Sequence, residues 1–104
     1  MKSSNVYILS TSTRADKKWM VKLPESDTHV HFGATGYSDY TLHKDPDRKK
    51  RYVQRHRSNE NWNKSGIHTA GFWSRWILWN CPGIQASIRD TERRFNIRIV
   101  KKRT

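Results

Sequence analysis

Residues 69–80, Thr69-Ala-Gly-Phe-Trp-Ser-Arg-Trp-Ile-Leu-Trp-Asn80, are the densest apolar segment of an otherwise polar chain, so any core has to be assembled around them. At about 100° per residue, Phe72, Trp73, Trp76, Ile77 and Trp79 share one arc, with Ser74 and Leu78 behind and Arg75 at the flank. That pattern predicts an amphipathic helix over about residues 70–80, with Thr69 as N-cap and Pro82-Gly83 as the stop. The aromatics read as core rather than as stacking platforms for a ligand, because large aromatic rings dominate small cores.

The chain has 104 residues, enough for one modest core. Only 34% of residues are hydrophobic, so five Trp, four Tyr and three Phe must supply much of the buried area. Trp19 and Trp62 join Phe72, Trp73, Trp76 and Trp79 as core or interface aromatics. The single cysteine, Cys81, excludes an internal disulfide and a multi-cysteine zinc site, and fits a reducing compartment. No apolar run approaches the roughly 20 residues of a membrane span, and the N-terminus shows no signal-peptide pattern.

Around the hub, the alternation of Trp19, Val21 and Leu23 with Lys18, Met20 and Lys22 predicts a half-buried strand with one basic face. A turn over residues 24–27 and renewed alternation over residues 28–32 complete a β-hairpin, with Val30 and Phe32 inward and His29 and His31 outward. Two imidazoles without a third spaced ligand do not make a metal site, and no metal or cofactor is expected. Gly33 and Gly36 fit positive-φ turn positions, and Ser38 or Asp39 fits a short cap before Tyr40 and Leu42. Val6, Tyr7, Ile8 and Leu9 form either a short edge strand or an arm.

Asp45-Pro46 is a helix start, with the helix running to about Arg57. Arg48, Lys49, Lys50, Arg51, Arg55 and Arg57 crowd this one helix, against which only Asp47 stands, while Tyr52 and Val53 supply a narrow inward stripe. Like charges three and four residues apart destabilise a helix, so the array points to an external polyanion. Trp62 is expected against the hub. Ile84, Ile88, Thr91 and Phe95 mark a C-terminal amphipathic helix closed by Asn96, followed by a strand over residues 97–99 and a basic tail, Lys101-Lys102-Arg103.

These elements predict an α+β fold: a small antiparallel sheet covered by the Trp-rich helix and the amphipathic C-terminal helix. The expected organisation is an N-terminal arm or edge strand over residues 1–16, one compact domain over 17–100, and a basic tail over 101–104.

Lys and Arg number 21 against nine Asp and Glu, a formal charge of +12, and the matching partner is a polyanion. Arg48, Lys49, Lys50, Arg51, Arg55, Arg57, Lys101, Lys102 and Arg103 are the candidate contacts. No nucleophile with a base, carboxylate pair or metal cage is legible, so catalysis is not expected. His56 with Asn59 and Glu60 lacks the further ligands a nuclease needs. With no zinc finger or paired RNP aromatics, backbone contact is expected over base-specific reading.

The stretch from His31-Phe-Gly-Ala-Thr-Gly-Tyr-Ser-Asp-Tyr-Thr-Leu-His-Lys-Asp45 through Arg48-Lys-Lys-Arg-Tyr-Val-Gln-Arg-His56 to Glu60-Asn-Trp-Asn-Lys-Ser-Gly-Ile-His-Thr-Ala-Gly-Phe-Trp-Ser-Arg-Trp-Ile-Leu-Trp-Asn80 resembles a small basic domain of large nucleocytoplasmic DNA viruses, over about residues 19–97. That family occurs in algal-virus, iridovirus and marseillevirus relatives and has no assigned activity. The resemblance implies a viral origin and carries over no catalytic residue. The expected role is a non-enzymatic virion component, a minor capsid or internal protein, that binds capsid proteins, a polyanion or both, in the virion and in host cytoplasm or nucleus during assembly. The alternative is a sequence-nonspecific DNA-binding protein of viral genome replication or packaging.

Overall fold

A computed structural model describes residues 6–24 and 26–102. The chain runs β1 (Val6–Thr11), β2 (Lys17–Lys22), β3 (His29–Ala34), α1 (Tyr40–His43), α2 (Pro46–His56), α3 (Ala70–Trp73, continued as a π-helical turn over Ser74–Leu78), α4 (Ile84–Phe95) and β4 (Arg98–Lys101). The class is α+β, as expected.

The four-stranded sheet has the order β3-β2-β1-β4. The hairpin is antiparallel, with Trp19 opposite Phe32 and Val21 opposite Val30. β1 adds antiparallel to β2, with Leu9 opposite Val21. Two expectations change here. β1 is neither an arm nor an edge strand: it is an inner strand of the sheet, with Leu9 and Tyr7 buried in the core, so the compact unit takes in residues assigned above to an arm. The sheet is not purely antiparallel: β4 runs parallel to β1, with Val6 opposite Arg98 and Tyr7 opposite Ile99, which makes it mixed. The reason is that α4 delivers the chain to the sheet end where β1 begins. The basic tail is shorter too, since Lys101 belongs to β4 and the Lys102 amide donates to the Leu9 carbonyl at 2.8 Å. Arg103 lies outside the described residues.

Capping chemistry sets the helix boundaries where the sequence placed them. The Asp45 side chain accepts from the Asp47 amide, with Pro46 in the first turn, and the Thr69 hydroxyl accepts from the Phe72 amide. Asn96 closes α4 in the left-handed region at φ 55°. Asp39, the choice between Ser38 and Asp39, caps α1.

The hub departs from a plain α-helix. From Ser74 onward it widens, and the Trp79 amide reaches the Ser74 carbonyl, an i to i+5 bond. One more residue per turn shifts the register. Leu78, expected on the back of the helix, is in the core, while Trp79 is half-buried at the flank. Phe72, Trp73 and Ile77 have no exposed surface, and Trp73 Nε1–H donates to the Ile67 carbonyl. Trp62 packs on this core and its carbonyl accepts from Trp76 Nε1–H, as expected of a hub neighbour. α4 locks onto the hub through Thr91, whose hydroxyl donates to the Trp76 carbonyl at 3.1 Å.

The Gly33 backbone also interrupts the expected alternation of the hairpin. It has φ +80°, and a Cβ built there would meet Leu78 Cδ1 at 2.7 Å and the Lys18 Cβ at 3.5 Å. Lys18, expected on an outward basic face, therefore runs along the hub side and pairs with the buried Asp39 at 2.6 Å.

Candidate polyanion surface and the cleft beside it

α2 divides its residues by spacing. Lys49, Tyr52, Val53 and His56 lie at i, i+3, i+4 and i+7 and form the inward stripe. Tyr52 stacks on Trp79 at 4.4 Å with rings 2° from parallel, and burial pushes its hydroxyl pKa up to about 12. Lys49 is the correction to the basic array. Its ammonium donates to the Asn80 carbonyl at 2.7 Å and lies 5.2 Å from the Tyr40 ring centre, and burial, followed by the nearby Arg75 charge, lowers its pKa. It serves the fold.

Other cations do the same for the segment that follows the hub helix, whose carbonyls lie outside any helix or strand ladder. Lys44 donates to the Pro82 carbonyl, and Arg75 to the Trp79 carbonyl at 2.9 Å. The Arg75 guanidinium also lies over Trp76 at 4.3 Å and near Trp62 at 5.3 Å, with Arg94 against Trp76 at 4.4 Å. Asp90 sits beside them, its carboxyl held below the usual range first by the Asn80 amide and then by Arg94.

The remaining cations of α2, Arg48, Lys50, Arg51 and Arg55, and Arg57 at its C-cap, are exposed and form no ion pair among the described residues. They fall on two flanks: Arg48, Arg51 and Arg55 on one, Lys50 and Arg57 on the other. Lys101 and Lys102 are exposed at the far end of β4, with Lys101 Nζ 5.4 Å from the ring centre of the half-buried Trp19.

The two flanks border different depressions. Lys50 and Arg57 line a shallow groove with Tyr40, Val53 and Gln54. Arg55 lines a cleft of about 430 Å³ between α2, the end of the hairpin and the start of α3. Sequence reasoning did not assemble this cleft. Its apolar floor includes Phe32, Leu78 and Trp79, its mouth carries Lys17 and the 73% exposed Tyr37, and Glu60 lines its wall. The Glu60 carboxylate lies 3.9 Å from His56 Nδ1 and against Gly71, where any side chain would collide with it. A glycine inside a helix was the one available signal for that close approach.

Among the described residues, no three His, Cys, Asp or Glu side chains converge as a metal site, and no helix is long and apolar enough to cross a membrane. His31 shares a 2.7 Å hydrogen bond with the Ser12 hydroxyl, and His29 is exposed. Cys81 is a free, partly exposed thiol.

A family of unknown function, DUF5754, matches residues 7–56. The matched stretch begins within β1 and ends with α2, before the hub. No curated protein and no solved structure matches the chain.

Proposed function

We propose that the protein is a non-enzymatic, small basic component of a viral particle whose α2 surface binds a polyanion. The observation that carries the binding reading is the set of exposed cations without an ion pair among the described residues, Arg48, Lys50, Arg51 and Arg55 on α2 and Arg57 at its C-cap, on a helix that Lys49 and Tyr52 tie to the hub. Their mutual repulsion is not offset inside the described fold, and phosphate groups spaced along a duplex would offset it. The viral assignment rests on the resemblance over residues 19–97. Capsid proteins are further partners in this reading, reached through surfaces other than α2.

Salt tests the α2 surface. Duplex affinity should fall steeply with salt, and Arg51→Ala with Arg55→Ala together should reduce the slope of log K against log salt by about two, without changing sequence preference. Negligible duplex affinity at low salt would remove nucleic acid as the partner and leave an acidic protein surface. The second reading, a DNA-binding protein of genome replication or packaging, is favoured by the same cations. Fractionation separates the two: a particle component stays with shells emptied of DNA, and a genome-bound protein leaves with the DNA.

A further inference from the structure

We infer that the cleft beside Arg55 takes one unpaired nucleobase carrying an exocyclic amino group, with the adjoining phosphate held at the rim by Arg55 and Lys17. This rests on the reading of α2 as a nucleic-acid surface and adds to it a single-strand, base-discriminating site.

The cleft has the size and composition for a planar aromatic guest. Its volume of about 430 Å³ falls within the roughly 300–1,000 Å³ of small-molecule sites. Leu78 and the Glu60 carboxylate fill the space over Gly33 and Gly71, so the small side chains that leave room for a guest are Ala34 and Ala70, and the ring surface open to it is that of the half-buried Trp79. Tyr37, 73% exposed at the mouth, presents a ring with no packing duty, the kind of platform on which bases stack without regard to sequence.

The charges decide which end of a nucleotide enters. Lys18 and Asp39 neutralise each other at 2.6 Å, and the carboxylate left on the wall is Glu60. The ring nitrogen facing it, His56 Nδ1, is 3.9 Å away, beyond hydrogen-bond length, so its acceptor sites are unspent. A phosphate would be repelled from this wall and drawn to Arg55 and Lys17, whereas the base edge is free to go inward. An ionised carboxylate only accepts hydrogen bonds, so the edge facing it has to donate. Cytosine, adenine and guanine offer an amino group; thymine offers one N–H between two carbonyls that oppose a carboxylate. In a duplex that edge is already paired, so the site is filled by single strands or extruded bases.

The test uses the full chain with fluorescently labelled oligo-dC and oligo-dT of equal length, read by anisotropy at pH 8 across a salt series. The two probes match in ring size and charge and differ in the hydrogen-bonding edge and in the thymine methyl, so oligo-dU, which has the thymine edge without the methyl, is the control and should bind as oligo-dT does. Oligo-dC should bind about fivefold or more tightly than oligo-dT at every salt concentration. Glu60→Met should abolish that preference while leaving the salt slope unchanged. Ala70→Trp, an exposed position that fills the cleft without altering charge, should do the same, and thermal melts confirm that both variants are folded. Equal binding of the two probes by the wild type overturns the inference, as does a preference that survives both folded variants. Failure of the α2 reading looks different: neither single strand nor duplex binds at low salt.

Discussion

Lys49 and Lys50 are neighbours in sequence and opposites in the structure. Lys49 turns under the helix to donate to the Asn80 carbonyl, while Lys50 stays exposed at the edge of a shallow groove with no ion-pair partner among the described residues. The contrast extends to two regions. Just past the end of the hub, Lys44, Lys49 and Arg75 donate to the carbonyls of Pro82, Asn80 and Trp79. On the flanks of α2, cations of the same type have no such duty. Net charge therefore overstates the binding surface, because part of it caps the core.

The comparison sets an order of expected effects. Trp73→Ala removes a fully buried ring and its hydrogen bond to Ile67, and should cost about 3–5 kcal/mol in chemical denaturation, a large share of the 5–15 kcal/mol typical of a domain. A loss near zero would mean that the hub is not the stabilising region. Arg75→Ala strips two ring contacts and one carbonyl partner, and about 1–3 kcal/mol is expected. Lysine at that position should recover only part of this, since an ammonium cannot lie flat on two rings.

Lys49→Met and Lys50→Met put the contrast to a direct test. The first should destabilise by about 1–2 kcal/mol and leave the salt dependence of duplex binding nearly unchanged. The second should change stability by less than about 0.5 kcal/mol and lower the salt slope by about 0.9. Exchange of these two outcomes would invert the assignment of structural and binding cations.

The smallest expected effect concerns pH. His43 Nδ1 accepts from the Asp45 amide at 3.0 Å, the ring lies 5.3 Å from Trp79, and Nε2 is buried without a partner. Burial, with Arg48 adding to it, holds the folded-state pKa below the ordinary 6.5. The unfolded chain then takes up the proton first, so this contribution is complete above about pH 6.5 and is lost as the pH falls through the lowered value. Melting temperatures of wild type and His43→Gln between pH 7.5 and pH 5 should converge on acidification, with the wild type losing more. Parallel curves would mean that His43 takes up its proton alike in the folded and unfolded chain.

What the sequence by itself determined is what short-range chemistry controls. Asp45-Pro46, Thr69 and Asn96 fixed helix ends because a cap needs only its own turn, and the alternation around Val21 and Val30 located the hairpin because a strand's period is local. The stripe of Ile88 and Thr91 likewise located the face α4 buries. Tertiary structure decided the rest. Whether Val6–Thr11 lies at an edge or inside the sheet depends on whether β4 arrives beside it, and β4 is brought there by a helix far along the chain. The widening of the hub at Ser74 turned Leu78 inward, and Gly33 let Lys18 reach Asp39. Lys49 and Lys50 look alike in sequence because an ammonium's role is set by the carbonyl or solvent it meets, and that neighbour exists only once the chain has folded.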